Sequence, residues 1–285
     1  MKTALVTGGT GFVGSHLCER LLRDGYRVIS LDNYFTGIEA NHTPGIEYRN
    51  GHTKDIVTHI PETPDIVFHL GEYARTEQSF DDVAMVWDLN IAGTFAVVEF
   101  CRTKGCKIVY AGSSTKFADD GEGRVQSPYA WMKAVNTELV VNYGAWFGLE
   151  YAVAYFYNVY GPRERSGKYG TLIRIFEEQL QKGESLHVTS PGTQERNFTH
   201  VHDIVEGLML VAAKGHGDNY GIGADTAYSV LDVAHMFGGE IVMMPERKGN
   251  RIHGGVDNKK VKELGWMQQH TLPVYIDELK QTYTR

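Results

Sequence analysis

Cysteine is scarce in this chain, and its placement excludes a disulfide framework. The 285 residues contain three cysteines, Cys18, Cys101 and Cys106. They form no C-x-x-C pair, are odd in number and lie in or beside apolar stretches. This pattern indicates reduced thiols that are buried as small hydrophobic side chains, as in a cytoplasmic protein.

Long apolar runs and an excess of positive charge are also lacking. The first residues are a lysine and a short apolar run broken by glycines, too short for a signal peptide, and we expect no membrane span. The formal net charge of -7 gives no reason to expect nucleic acid or an anionic membrane as a partner. Any anionic ligand must therefore be held by a local basic cluster. With 42% hydrophobic and 22% charged residues, the composition is that of a soluble enzyme.

Glycine, in contrast, is abundant, and one group of glycines lies between an apolar run and an amphipathic segment. Gly9, Gly11 and Gly14 have the spacing G-x-G-x-x-G, and Gly8 begins the wider spacing G-x-x-G-x-x-G. A turn without Cβ atoms lets the backbone approach a pyrophosphate, which the free N–H groups of a helix N-terminus then bind. A second apolar run ends in Asp32, near the distance at which an acidic residue contacts the adenosine ribose. The sequence therefore predicts a dinucleotide site.

Apolar runs and helical segments alternate through residue 156, which predicts an α/β fold with a doubly wound parallel sheet, the Rossmann arrangement. The expected strands are Thr3–Val6, Arg27–Leu31, Ile46–Arg49, Asp65–Leu70, Lys107–Ala111 and Tyr151–Phe156. We expect residues 1–160 to form the dinucleotide-binding domain, with elements returning to it from about 186–215. Residues 161–285 should form mainly a smaller C-terminal substrate lobe. Ligands of open α/β sheets bind beyond the C-terminal ends of the strands, so we expect the site between that edge and the lobe.

Two groups of residues carry candidate chemistry. Three hydroxyl side chains, Ser113, Ser114 and Thr115, follow a predicted strand, and Tyr129 and Lys133 share one face of the next helix at i, i+4 spacing. A nearby ammonium favours the phenolate form of tyrosine, so this pair can act as a general base near neutral pH.

Together these residues resemble the extended short-chain dehydrogenase/reductases, and within them the NAD-dependent sugar-nucleotide epimerase/dehydratase family typified by UDP-glucose 4-epimerase. The resemblance covers nearly the whole chain. Besides the groups above, it rests on His69–Gly71, Asn90, Tyr157–Arg163, Arg196–Val201, Asp203 and Arg247–Asn250.

The resemblance implies a role for individual positions. Tyr129 would be the catalytic base, Lys133 would hold the nicotinamide ribose and lower the pKa of Tyr129, and Ser113 would bond the reacting hydroxyl. NAD would be contacted by residues of the glycine turn, the second strand, the fourth strand and the catalytic helix: Gly8, Gly11, Phe12, Val13, Gly14, Asp32, Asn33, Leu70, Gly71, Tyr129 and Lys133. The sugar nucleotide would be contacted by Glu72, Arg75, Ser113, Ser114, Asn158, Arg196 and Arg247, with Asn158 and the last two arginines on its diphosphate. No metal site is expected.

Two departures from the family pattern affect these expectations. His52 stands where relatives carry the Asp that usually contacts the adenine, so the resemblance does not extend to that contact. Glu72 and Arg75 stand where relatives have small residues, and their charges either reach the sugar or pair with each other.

The resemblance implies an NAD-dependent 4-epimerase that acts on a sugar nucleotide, with a UDP-hexose as the expected substrate. The alternatives are a 4-keto-sugar reductase, a 4,6-dehydratase and, more remotely, a non-catalytic NAD-binding regulator. Dehydratases of this family place Asp-Glu directly after the catalytic hydroxyl residue, whereas this chain has Ser114 and Thr115. Glu72 or Glu77 could supply a carboxylate from another loop.

Two long helical stretches, about 81–102 and about 128–147, are apolar on more than one face. One face can cover the sheet and leave another for a partner. The two stretches resemble the helix pair that forms an intersubunit four-helix bundle in this family, so we expect a homodimer.

Overall fold

The computed structural model of the chain describes residues 1–115, 123–246 and 255–283. The strands of this part are, in chain order, β1 (Thr3–Thr7), β2 (Arg27–Asp32), β3 (Glu47–Asn50), β4 (Ile66–His69), β5 (Lys107–Ser113), β6 (Tyr151–Phe156), β7 (Val159–Tyr160), β8 (Leu186–Thr189), β9 (Glu195–Asn197), β10 (Thr199–His200), β11 (Gly217–Ile222), β12 (Ala227–Ser229) and β13 (Ile241–Met244). The α-helices are α1 (Phe12–Arg23), α2 (Ile56–His59), α3 (Val83–Val86), α4 (Gly93–Lys104), α5 (Pro128–Phe147), α6 (Leu172–Gln181), α7 (Val201–Lys214), α8 (Val230–Phe237), α9 (Lys259–Glu263) and α10 (Leu272–Tyr283).

Seven strands form one parallel sheet in the order β11-β6-β5-β4-β1-β2-β3. The order reverses between β1 and β4, which is the point where open α/β sheets bind their ligands. The expected doubly wound parallel sheet is confirmed, and each expected strand is present within about two residues. β5 runs two residues beyond its expected end, which places Ser113 inside the strand at its C-terminal end.

Both faces of this sheet are covered, which explains why its five central strands are largely apolar runs, whereas the edge strands β3 and β11 are more polar. One face packs against Leu17 and Leu21 of α1 and Leu208 of α7, all at most 1% exposed. The other packs against α4 and α5, which bury Val97 and Val140 against it. The sheet and its two helical layers therefore form the core that holds the strand ends in place.

A third apolar cluster lies outside the sheet and forms the core of a smaller lobe. It joins α6, α8 and α10 to the short parallel pair of β8 and β13, with Phe176, Leu186, Val233 and Ile276 buried in it. The segment that returns to the large sheet is α7 and β11, residues 201–222, so it begins and ends later than the expected 186–215. β8 lies within the expected range but belongs to the lobe, because its partner is β13.

The helix Val83–Lys104 is continuous, because the π-helical turn Trp87–Ala92 joins α3 to α4. Its length and a mean hydropathy of 1.4 in its most apolar window would suffice to cross a membrane, which the sequence analysis did not anticipate. In this fold 44% of that window is buried. Its inner side packs against the sheet and α5, as the core helix of a globular domain does.

Candidate functional site

A cleft of about 620 Å³ opens at the C-terminal ends of the parallel strands, where the lobe faces the sheet. Every site residue expected from the sequence that lies within the described part of the chain lines this cleft: Gly8, Gly11, Phe12, Val13, Gly14, Asp32, Asn33, Leu70, Gly71, Glu72, Arg75, Ser113, Ser114, Tyr129, Lys133, Asn158 and Arg196. Arg247 lies outside the described residues. The fold thus brings together positions that are up to 188 residues apart in the chain, from Gly8 to Arg196.

The glycine turn connects β1 to α1 and leaves no space for side chains. A Cβ atom on Gly14 would lie 2.1 Å from the Gly8 carbonyl oxygen, and one on Gly8, whose φ is +73°, would lie 2.9 Å from the Gly71 Cα atom. α1 begins after Gly11, and no described side chain caps its first N–H groups. These N–H groups can therefore donate hydrogen bonds to a ligand in the cleft, where the positive end of the helix dipole also lies. Both properties favour binding of a pyrophosphate.

Asp32 ends β2 at the rim of the cleft and is held in a fixed orientation. Its Oδ2 atom accepts a hydrogen bond from the Thr10 backbone N–H at 3.0 Å, and its Oδ1 atom accepts one from that of Tyr34 at 2.9 Å. Each carboxylate oxygen keeps a second lone pair for a ligand hydroxyl. The turn and this carboxylate together fit the diphosphate and the ribose of a dinucleotide.

His52 does not line this cleft. Its Nδ1 atom accepts from the Lys54 backbone N–H at 3.0 Å and so caps a short 3₁₀ turn, Thr53–Asp55. His52 therefore caps the 3₁₀ turn that follows β3.

The catalytic candidates lie on two neighbouring elements. Ser113 is the last residue of β5, and its Oγ atom is 2.9 Å from the Thr115 Oγ1 atom. α5 begins after Ser127, whose side chain accepts from the Ala130 N–H. Tyr129 therefore stands in the first turn of this helix, and Lys133 stands one turn further on the same face.

Glu72 is a buried partner of Lys133. The Lys133 ammonium donates to the Glu72 carboxylate and to the Ala111 carbonyl oxygen, and the two side chains of the ion pair are 5% and 4% exposed. Burial lowers the pKa of Lys133, and the charge of Glu72 opposes that shift. From the sequence we expected Glu72 to reach the sugar or to pair with Arg75. The pair with Arg75 is not formed, because the Glu72 carboxylate is turned toward Lys133 on the catalytic helix, and contact with the sugar stays a prediction.

Arg75 does not pair with Glu72, and its side chain instead links two loop segments on the opposite wall of the cleft. Its Nε and Nη2 atoms donate to the Tyr169 carbonyl oxygen at 2.7 and 2.5 Å, and its Nη1 atom donates to the Ala74 carbonyl oxygen. Its guanidinium thereby joins the loop after β4 to the 3₁₀ turn Gly167–Tyr169. Burial lowers the pKa of Arg75.

An amide scaffold lies behind these residues, and of its two members Asn90 was named only as part of the family resemblance and Asn136 was missed. Asn136 donates from Nδ2 to the Glu72 carboxylate at 2.8 Å and to the Asn90 carbonyl oxygen at 2.9 Å. The carbonyl of Asn90 lies in the π-helical turn, where the usual i→i−4 ladder is interrupted. Asn90 in turn bonds both backbone groups of Tyr73 and so fixes the loop after β4. The available signal was the position of Asn136, three residues after Lys133 on the same helix face.

The lobe side of the cleft carries polar groups for a substrate. Asn158 has a φ of 35° and donates weakly to the Asn197 carbonyl oxygen at 3.4 Å, and Arg196 lies on β9 and donates to the Glu195 carbonyl oxygen. Two buried oxygen atoms that line the same wall, Gln194 Oε1 and Thr171 Oγ1, have no hydrogen-bond partner among the described residues.

Comparisons with known proteins agree with this geometry. The model of the NAD dependent epimerase/dehydratase family matches residues 4–223. A Methanocaldococcus jannaschii protein, provisionally named a UDP-glucose 4-epimerase, is 31% identical over an alignment of 280 residues that covers 92% of each chain. The UDP-glucuronic acid decarboxylase 1 of Xenopus tropicalis is 28% identical over 292 residues, with 93% of this chain and 68% of that protein covered.

Among solved structures, the UDP-glucose 4-epimerase of Thermotoga maritima with UDP-glucose superposes with a TM-score of 0.90 at 26% identity and covers 98% of this chain and 99% of that one. The chain belongs to the NAD-dependent epimerase/dehydratase family of sugar-nucleotide enzymes, which includes epimerases, decarboxylases and dehydratases, and its cofactor is NAD.

Proposed function

We propose that the protein is a 4-epimerase of nucleotide-linked hexoses, with UDP-hexoses as substrates. The observation that carries the proposal is the convergence of Ser113, Tyr129 and Lys133 on one cleft, with the hydroxyl residues Ser114 and Thr115 in place of an acidic pair. The names of the Methanocaldococcus and Thermotoga proteins support UDP-glucose or its C4 epimer as the substrate. Retention of all three catalytic candidates in one cleft speaks against a non-catalytic regulator.

In this proposal each side chain has a distinct task. Hydride acceptance from C4 and return of the hydride to the other face of the 4-keto sugar are the chemistry that NAD supplies when bound. Tyr129 takes the proton from the C4 hydroxyl and later returns it, and Ser113 bonds the same oxygen. Lys133 donates to the nicotinamide ribose with the N–H that neither Glu72 nor Ala111 uses, and its charge favours the phenolate of Tyr129.

The lobe holds the nucleotide diphosphate while the sugar turns over. Arg196 supplies a guanidinium, and the Asn158 amide supplies an N–H donor, on the lobe side of the cleft. Charge-assisted hydrogen bonds from a guanidinium to phosphate oxygens explain how an acidic protein retains an anionic substrate.

The arrangement supports epimerisation over 4,6-dehydration. Loss of water across C5 and C6 needs a base at C5 and an acid at the C6 hydroxyl, and neutral hydroxyls such as Ser114 and Thr115 serve neither purpose near pH 7. Glu72, which could have supplied a carboxylate, is occupied by Lys133, Thr94, Tyr110 and Asn136. Glu77 also lines the cleft, so the experiment must follow C6 as well as C4.

The test is to incubate the protein with UDP-glucose, UDP-galactose and their N-acetyl analogues and to follow C4 and C6 by NMR. We expect inversion at C4 with the C6 hydroxyl intact. Tyr129→Phe should lower kcat by about 10²- to 10⁴-fold, the usual contribution of a general base. Tyr26→Phe, outside the cleft, is the matched control and should retain activity. A 4-keto-6-deoxy product would overturn the proposal, as would full activity of Tyr129→Phe.

A further inference from the structure

The buried ion pair between Glu72 and Lys133 is a feature that the family resemblance did not anticipate. Glu72 receives four donors: the Lys133 ammonium at Oε2, and Thr94 Oγ1, Tyr110 Oη and Asn136 Nδ2 at Oε1, at 2.9, 3.1 and 2.8 Å. A set made only of donors suits an ionised carboxylate, which accepts hydrogen bonds and donates none. Glu72 is therefore built into the scaffold as an anion.

The other titratable side chains that face this ion pair, His69 and Tyr110, are neutral and add no charge to it. His69 on β4 is buried, and burial lowers its pKa to about 4, so its ring is neutral at working pH. Its Nδ1 atom lies 2.7 Å from Thr7 Oγ1 and its Nε2 atom 2.9 Å from Thr94 Oγ1. Tyr110 on β5 donates to Glu72, and its ring centroid lies 4.3 Å from Lys133 Nζ. The pKa of Tyr110 is raised by burial, so its phenol is also neutral.

Lys133 needs a counter-charge in this environment. Its side chain is 5% exposed, and removal of an ammonium from water favours loss of its proton. Two of its three N–H groups donate to Glu72 and the Ala111 carbonyl oxygen, and the third remains for the cleft that Lys133 lines. These two contacts therefore stabilise the charged form of Lys133 and orient its third N–H group.

We propose that Glu72 is a positioning residue for the catalytic step: its carboxylate keeps Lys133 protonated and directs the free N–H of Lys133 toward the cofactor and Tyr129. Glu72 itself does not touch the reacting atoms in this role and acts through Lys133. The expected effect of Glu72 on kcat rests on the proposed function. Its expected effect on the proton affinity of Lys133 can be measured without turnover.

The first measurement is independent of activity. The ¹³Cε resonance of Lys133, assigned with Lys133→Arg, is followed by NMR between pH 6 and pH 11 in the cofactor-free protein. In Glu72→Gln the midpoint of this titration should fall by one to two pH units, a 10- to 100-fold loss of proton affinity, because the counter-charge is gone. Glu72→Asp should restore most of the shift. An unchanged midpoint in Glu72→Gln would overturn the proposal even if the protein proved not to be an epimerase.

The second measurement is the pH dependence of kcat with the best sugar nucleotide. Lys133 must stay protonated, so the alkaline limb of the profile should move to lower pH in Glu72→Gln and return toward its original position in Glu72→Asp. Glu138→Gln is the matched control, since Glu138 is on the same helix, pairs with Arg124 at 2.9 Å and has a side chain that is 53% exposed. A uniform loss of kcat without movement of the limb would show that Glu72 only supports the fold and would contradict the proposal.

Discussion

At the scale of single residues, Asp32 shows how one carboxylate selects a ligand. The two backbone N–H groups that bond it fix both of its oxygens at the rim of the glycine turn. A fixed anion at this point accepts hydrogen bonds from the 2′- and 3′-hydroxyls of an adenosine ribose and repels a 2′-phosphate. The residues that follow, Asn33 to Phe35, include no Arg or Lys to neutralise such a phosphate.

The protein should accordingly bind NAD more tightly than NADP. We expect at least a tenfold difference in Kd, about 1.4 kcal/mol, by calorimetry on cofactor-free protein. Asp32→Asn should reduce this difference, because the repulsion is removed while the side-chain shape is kept. Asp24→Asn, a change of the same kind at the C-terminal end of α1, should leave the preference as it is. Tighter binding of NADP by the unmodified protein would show that Asp32 does not select the cofactor.

The contrast between Ser113 and Glu72 shows how much of the site the sequence could predict. Ser113, Tyr129 and Lys133 could be placed in the cleft because their positions follow from local features, namely a strand end and i, i+4 spacing on one helix, while their roles come from the family resemblance. The partner of Glu72 could not be assigned, because its carboxylate is directed by Asn136 and Thr94, which lie on two helices distant in the chain. Side-chain direction in a buried network depends on every donor around it, and a linear pattern carries no such information.

At the scale of elements, the continuous helix Val83–Lys104 and α5 each present apolar side chains on the side away from the sheet. Exposed aromatic residues on them include Trp87 at 51%, Phe95 at 52%, Trp146 at 62% and Phe147 at 55%. Large aromatic side chains in water on two neighbouring helices are typical of an interface. The inner faces of the same helices, in contrast, are committed to the core.

We therefore predict a homodimer formed through these two helices. Light scattering at micromolar concentration should give twice the chain mass of 31.9 kDa. Phe95→Glu combined with Trp146→Glu should yield monomers, because charges would be buried without partners at the interface. Val57→Glu places the same charge on α2, at a side chain that is 70% exposed, and should remain dimeric. A monomeric unmodified protein would refute the prediction.

The element boundaries also show which parts of the fold a sequence can predict. The five central strands of the large sheet could be predicted because they are buried on both faces and therefore read as largely apolar runs. The edge strand β11 was not among the expected strands, since its sequence, GDNYGI, is not an apolar run. The expected returning range of about 186–215 included β8, because the pattern of a four-residue strand does not tell whether its neighbour lies in the large sheet or is β13. Which strand pairs with β8 depends on the packing of the whole lobe, because Leu186 and Val188 of β8 are buried in the lobe core.

At the scale of the whole molecule, buried imidazoles connect folding to pH. Burial lowers the pKa of His200 to about 3 and that of His69 to about 4, so the folded protein keeps both rings neutral. The unfolded chain binds protons at these residues below about pH 6.5. Because the unfolded state then binds more protons, the free energy of unfolding decreases as the pH falls from about 6.5 toward these lowered values.

Urea unfolding at pH 7, 6 and 5 should reveal this dependence. Each buried histidine should account for at most about 2 kcal/mol of the loss between pH 7 and pH 5. His200→Gln should make the dependence shallower, although it also removes the cap that His200 provides to α7 and lowers stability at pH 7. His216→Gln, at a side chain that is 71% exposed, should keep the original slope. Equal slopes for all three proteins would contradict the assignment.

The order of the large sheet has a consequence for synthesis of the protein. β6 ends at Phe156, but its outer neighbour β11 begins only at Gly217, after α6 and β8 of the lobe and helix α7 have been made. While the ribosome adds the intervening residues, the edge of β6 exposes a row of unpaired backbone groups, the kind of edge that recruits strands from other chains. The nascent chain thus carries an open sheet edge through the synthesis of this segment, and the sheet can close only once residue 222 has left the ribosome.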